Sequence, residues 1–376
     1  MTGKERVLKT IHHMEPDRVP IGEAGIDHDH IAKIIGRDTF IRNRRATTLA
    51  LWQGRRDEIV ETMKADYKEL VEKLDYDLLA VELVPSKNHD CSDPPKEIGD
   101  GVWQDKKGKI YKYAASNDSI MCMTPPPQKE ELSLDDFNKE ATLDESRFEL
   151  IDYIGEIYGD KKAIVMRNIE IHSSLLSHFG GDYSHKLIMC ATEPEQIKKM
   201  YRYGLDYNKL LIERSKKAKA IIAMECYDFG MNSGTVMSPD TIRDIFFPYM
   251  AMVNAEIVKN GMSPFFHCCG NIWSILPDFV KSGYKGYQSI QQSAGMDNKK
   301  VKELYGNDLT LWAGIQCETL VNGSIPDVEN EVKESLDILM PGGGFIFGST
   351  NSVQFGAKTD NYLKAFETVR KYGIYK

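Results

Sequence analysis

The stretch that decides the fold runs from Lys219 to His267, KAIIAMECYDFGMNSGTVMSPDTIRDIFFPYMAMVNAEIVKNGMSPFFH. An apolar, β-branched run (Lys219–Glu225) is followed by a segment of helical period and then by a second apolar run (Ser263–His267). Ser238 stands where a helix cap is needed and Pro239 takes the first helical position. Strand, helix, strand in this order predicts two parallel strands joined by a crossover helix over Pro239–Asn260. Working outward, the same alternation gives further strands at Val19–Ala24, Leu78–Leu83, Ala163–Ile169, Gly286–Ile290, Leu309–Ile315 and Gly344–Gly348, with helices over Asp57–Leu74 and Glu193–Ala218. Eight strands with helices between them predict an α/β fold of the (β/α)8 barrel type, preceded by an N-terminal helical extension.

One segment breaks the rhythm. Val84–Asp160 is too long for a simple crossover and is predicted to be an insertion after the second strand. Within it, Gly99–Tyr113 reads as a β-hairpin turning at Lys107-Gly108, with Pro125–Pro127 extended beyond it. Trp103, Tyr111 and Tyr113 give the hairpin three rings that could dock a partner, act as a lid or pack on the barrel. No internal repeat or linker composition is visible, so residues 1–376 are expected to form a single domain carrying the insertion 84–160.

Composition narrows the function classes. Of 376 residues, 41% are hydrophobic and 28% charged, and 48 Lys+Arg against 56 Asp+Glu leave a net charge of -8. Without a basic block, that field has the wrong sign for a phosphate backbone, and no nucleic acid is expected as a partner. No apolar run reaches the roughly 18–20 residues that span a bilayer, and the N-terminus lacks the apolar centre of a signal peptide, so a cytoplasmic protein is expected. Seven scattered cysteines argue for free thiols in a reducing compartment.

The candidate chemistry gathers at strand ends, where barrels place their active sites. Ser263–Asp278 (SPFFHCCGNIWSILPD) runs an apolar strand into His267, Cys268 and Cys269. Side chains alternate along a strand, so His267 and Cys269 share a side while Cys268 points away. An imidazole and a thiolate suit Zn²⁺. The alternative is a buried cysteine pair beside a histidine bonded to the backbone. A further metal ligand could be Cys317, which follows LTLWAGIQ, or Glu225, which ends AIIAME. Glu225 and the neighbouring Tyr227 are candidate catalytic groups; Glu23, Glu82, His172, Asp228 and Gln288 are candidate substrate-binding residues around the mouth. His12, His13, His28 and His30 fall in polar segments and read as surface histidines.

Lys4–Gly22 (KERVLKTIHHMEPDRVPIG), TVMSPDTIRDIFFPYM, FFHCCGNIWSILPDFVKSGYKGYQSIQ and LMPGGGFIFGST with NYLKAFETVRKYGIY resemble the uroporphyrinogen decarboxylase superfamily, and within it the corrinoid-dependent methyltransferases. The resemblance spans nearly the whole chain and implies a (β/α)8 barrel with its active site in a deep mouth. It also implies that His267 and Cys269 match two family zinc ligands. The family's decarboxylases carry arginines shortly after the first strand to hold a polycarboxylate; here GEAGIDHDHIAKIIGR has none before Arg37, which argues against porphyrinogen decarboxylation. The third ligand of the thiol-directed methyltransferases, a cysteine, would fall where this chain reads FGSTNS. Its absence favours an enzyme of the substrate side, taking a methyl group from a small donor such as an aryl methyl ether, a methylamine or a thioether. The acceptor would be the cobalt(I) of a corrinoid (cobalamin) carried by a partner protein, with zinc as Lewis acid. The partners implied are that corrinoid protein and the methyl donor, with assembly as a homodimer compatible. A methylcorrinoid-to-thiol methyltransferase and a decarboxylase-like lyase are the alternatives, and a non-catalytic binding barrel is a third.

Overall fold

The computed structural model describes residues 1–124, 142–167 and 183–376. The eight expected strands are present: β1 (Gly22–Glu23), β2 (Leu78–Val81), β3 (Ala163–Met166), β4 (Ala220–Cys226), β5 (Ser263–His267), β6 (Gly286–Gln288), β7 (Thr310–Ile315) and β8 (Phe345–Ser349). They pair in chain order, all in parallel. A parallel bridge between Ile21 and Phe347 brings the last strand back to the first. The chain is thus a (β/α)8 barrel of the TIM type.

Two apolar layers follow from the two-residue period of the strands. Leu78, Val165, Ile222, Met224, Phe265, Trp312 and Ile346 fill the barrel interior. Their sequence neighbours, such as Leu79, Ile164, Ala223, Phe266, Leu311 and Phe347, face the surrounding helices. The N-terminal helix (Gly3–Ile11), started by a capping box between Thr2 and Glu5, sends Val7 into the interior layer. Beside it, Arg6 and Arg18 both bond the buried Asp77 just ahead of β2, at 2.5 and 2.6 Å. This end of the barrel is therefore closed, and the opposite end, where strands finish, is the mouth.

Several expectations need correction. The helix expected over Pro239–Asn260 is two, Pro239–Ile245 and Phe247–Lys259; Pro248 has no N–H to continue the ladder, and the chain restarts at Phe246. The expected hairpin is part of a four-stranded antiparallel sheet, Lys96–Gly99, Val102–Gln104, Ile110–Ala114 and Ser119–Cys122. Its rings contact the chain itself: Trp103, which is buried, and the half-buried Tyr111 both meet Trp52 edge-on, and Arg45 lies 4.5 Å over the half-buried Tyr113 ring. His30 is not on the surface but fully buried, with Nδ1 2.8 Å from Thr359 Oγ1 and Nε2 2.9 Å from the Gln354 carbonyl. Pro125–Pro127 and His172 lie outside the described residues.

Candidate metal centre at the barrel mouth

The interior face of each strand, continued one step past the apolar layer, delivers a polar side chain to the mouth. Along β2 the inward residues are Leu78, Ala80 and then Glu82; along β3, Ala163, Val165 and then Arg167; along β4, Met224 and Cys226; along β5, Phe265 and His267; along β6, Gly286 and Gln288. Cys226 is the register partner of His267, and His267 of Gln288.

Among the described residues, Asp228, His267 and Cys269 form a group whose ligand atoms all lie within 4.8 Å of one another. His267 Nε2 is 3.3 Å from Cys269 Sγ. Two ligands of one tetrahedral zinc ion stand roughly 3.5 Å apart, given Zn–S of about 2.3 Å and Zn–N of about 2.0 Å, so the pair fits one ion. Cys269 is held by two more contacts, Ser289 Oγ at 3.3 Å and the Asn351 amide, which donates to Sγ at 3.2 Å. Burial pushes the Cys269 thiol up to about 11, against the pull of those two partners. Burial likewise holds His267 below the ordinary histidine value.

What brings Asp228 to the pair is a close approach of two loops. Tyr227 N donates to the His267 carbonyl at 2.8 Å and Asn271 N to the Met231 carbonyl at 2.8 Å. Between these bonds Gly230 and Gly270 pass so closely that a Cβ on Gly230 would lie 2.3 Å from the Cys269 carbonyl oxygen; Gly270, at φ +78°, is equally crowded from the other side. Only two glycines permit this. Asp228 was expected to hold substrate; its position beside His267 and Cys269 makes it a candidate metal ligand.

The other expected site residues divide by strand parity. Glu82 is in the mouth, where Arg167 (2.6 Å) and Arg42 (2.8 Å) share its Oε1. Burial pushes Glu82 up, but the two guanidiniums outweigh it and hold the carboxylate below its usual range. Gln288 is in the mouth too, bonded to His267 Nδ1. Cys268, turned away from His267 as expected, is fully buried in the outer layer. Cys317 is outside the three-residue group; its sulfur faces Thr350 Oγ1 at 3.9 Å and the Ser352 carbonyl at 3.7 Å. Glu225 and Tyr227 lie behind the barrel wall. Glu225 is 1% exposed and accepts hydrogen bonds from Tyr227 and, at 2.8 Å, from Tyr284, both in the layer facing the helices. The strand runs one residue further than expected, to Cys226, and places Cys226 rather than Glu225 on the inner face.

Glu23 is also outside the inner face. Both oxygens accept from Ser349 N (3.1 and 3.0 Å) and Oε2 from Ser349 Oγ at 2.6 Å, and burial raises its carboxyl from 4.5 to about 8. Between these values the folded state keeps a proton that the unfolded chain has released, so stability is expected to fall as pH rises from about 4.5 to 8. Glu23→Gln should remove this part of the decline and be the more stable form at pH 8, measured by denaturant unfolding at pH 5 and 8. Equal pH dependence in both proteins would contradict it.

Glu23 borders a cavity of about 90 Å³ beside β1 and β2, which share only two paired residues. Its walls are mostly apolar, among them Ile26, Ile41, Leu70 and Ala80, and its polar residues include Arg42, Glu82 and Arg167. Arg167 also reaches toward Cys226 (3.9 Å), the neighbour of His267, and so links cavity and metal group. Neither Arg42 nor Arg167 was singled out from the sequence. Arg167 sits on the inward parity of β3, a signal available there; Arg42 lies in a loop and carries none.

The sequence pattern of the uroporphyrinogen decarboxylase family matches residues 175–372, more than half of the chain. The chain belongs to this family. Among solved structures, a methyltransferase from Methanosarcina mazei superposes with a TM-score of 0.70 at 15% identity, over 99% of this chain and 99% of its own. That likeness shows a common fold across the family barrel. Looser likenesses are a D-tagatose 3-epimerase-like protein (TM-score 0.37, 13% identity, 62% of this chain and 85% of that one) and a sugar phosphate isomerase/epimerase from Parabacteroides distasonis (TM-score 0.38, 9% identity, 85% and 92%). At those scores they carry no weight. No curated protein matches the chain.

Proposed function

We propose that this family member is a corrinoid-dependent methyltransferase of the substrate side, taking a methyl group from a small donor such as an aryl methyl ether. The observation that carries the reading is the Asp228, His267 and Cys269 group at the mouth. One soft and two harder donors converging at a barrel's catalytic end suit zinc with room for an exogenous oxygen. These three residues would hold the ion, which when bound supplies Lewis acidity toward the donor's oxygen. An ether methyl is a poor electrophile because an alkoxide or phenolate must leave. In the net reaction the carbon–oxygen bond breaks, the oxygen keeps the electron pair, and the methyl group joins the cobalt(I) of a separate corrinoid protein docked over the mouth.

This chain's own residues would bind and orient the donor. The mostly apolar walls of the cavity suit the apolar body of a small donor. Arg167, held by Glu82 and the Ala24 carbonyl at 2.6 Å each, stands between that cavity and the metal group as a fixed polar contact. The same ion pairs weigh against porphyrinogen decarboxylation. A polycarboxylate needs arginines with charge to spare, and Arg42 and Arg167 already share Glu82, with Arg42 also bonded to Asp27 at 2.8 Å.

The test is incubation of the zinc-loaded protein with methoxyaromatics, methylamines and methyl thioethers plus a reduced corrinoid protein, following loss of the cobalt(I) spectrum. Methylation of the corrinoid that requires zinc and is fastest with a methoxyaromatic is expected. Decarboxylation of an organic acid without metal or partner would overturn the proposal.

A further inference from the structure

Gln288 is fully buried at the end of β6, and both ends of its amide are engaged. Its Nε2 donates to the Ser349 carbonyl at 3.0 Å and the Asn351 carbonyl at 3.3 Å. An amide oxygen cannot donate, so these two carbonyls settle which end of the amide faces them. Oε1 is left facing His267 Nδ1. An oxygen in that position accepts, so Nδ1 must carry the ring hydrogen. In the neutral imidazole the lone pair then belongs to Nε2, the nitrogen that faces Cys269 Sγ at 3.3 Å.

The next residue completes the arrangement. In an extended strand Ser289 would point away from the side Gln288 faces. Ser289 instead has φ +86°, a left-handed conformation costly for a residue with a side chain, and it is fully buried. That turn carries its Oγ to within 3.3 Å of Cys269 Sγ. Two consecutive residues thus reach the two adjacent donors, one each.

We infer that the end of β6 is a positioning clamp: Gln288 fixes the tautomer and orientation of His267, and Ser289 fixes the Cys269 sulfur, so both donors are preset for a metal before one arrives. The inference rests on the proposed metal centre only for its consequence; the clamp itself is a property of the metal-free protein.

The test has two readouts. In metal-free protein at pH 8.5, ¹⁵N NMR of the His267 ring should show hydrogen on Nδ1 in the wild type, a mixture of tautomers in Gln288→Met, and Nδ1–H retained in Gln288→Glu, whose carboxylate still accepts. Zinc affinity, measured by chelator competition, should fall roughly 10- to 100-fold in Gln288→Met, with Gln288→Glu lying between it and the wild type. Hydrogen on Nε2 in the wild type, or zinc affinity of Gln288→Met within about twofold of it, would overturn the clamp. Should Gln288→Met fail to fold, the wild-type spectrum and the Gln288→Glu affinity still decide. Correct tautomers and the expected affinities without methyl transfer would leave the clamp standing and remove the methyltransferase reading.

Discussion

Cys269→Ala is expected to leave the purified protein nearly metal-free, whereas Cys268→Ala should keep close to one zinc per chain. The two cysteines are adjacent in sequence but not in surroundings. Cys269 Sγ lies among His267, Ser289 and Asn351 at 3.2–3.3 Å. Cys268 is packed in the outer layer, where the Tyr287 hydroxyl bonds its carbonyl at 3.4 Å. Losing a thiolate ligand should cost more than the roughly 10- to 100-fold that loss of a supporting contact costs, so metal affinity and methyl transfer should fall by about 10³-fold or more. Cys268→Ala should show only the modest destabilisation of a small buried side chain lost. Equal metal loss from both variants would mean that the alternation along β5 does not govern the site.

Glu225→Ala is expected to be a stability variant and not a catalytic one. It would remove the buried carboxylate to which the hydroxyls of Tyr227 and Tyr284 both donate. A buried hydrogen bond is worth about 1 kcal/mol net, so the two bonds lost and the cavity left behind should lower stability by roughly 2–5 kcal/mol, read as a drop of several degrees in the unfolding midpoint. Turnover per folded molecule should stay within about threefold of the wild type. A Glu225→Gln protein of normal stability that lost roughly 10²-fold in rate would return this carboxylate to the catalytic site.

The two cases show what the sequence could and could not say. The eight strands were legible because each is an apolar run set off by long helical segments, and Ser263–His267 has the expected limits. His267, Glu82 and Gln288 were legible as strand-end polar residues. Glu225 and Tyr227 fall off the inner face because a strand end is also where parity matters: counting in twos from Ile222 and Met224 reaches Cys226 and passes Glu225 by. The same count from Val165 reaches Arg167. Asp228 is the next step of the β4 count past Cys226 and is legible as a site residue, but its place beside the His267 and Cys269 pair, like Ser289 and Asn351, is beyond such counting. Asp228 depends on two loops touching at Gly230 and Gly270, Ser289 on one left-handed residue, and Asn351 on the loop after β8 closing over the site. These are contacts between segments far apart in the chain, fixed by tertiary structure and not by local pattern.

Zinc K-edge X-ray absorption of the purified, zinc-loaded protein tests the metal centre most directly, because it counts ligands without requiring a substrate. The expected spectrum has one sulfur at about 2.3 Å and the remaining neighbours nitrogen or oxygen at about 2.0–2.2 Å, the set supplied by Cys269, His267, Asp228 and an exchangeable oxygen. In Asp228→Asn the protein should retain the sulfur while binding zinc more weakly. Two or more sulfur neighbours, which would bring Cys317 or another thiol into the site, or a protein that takes up no zinc, would contradict it.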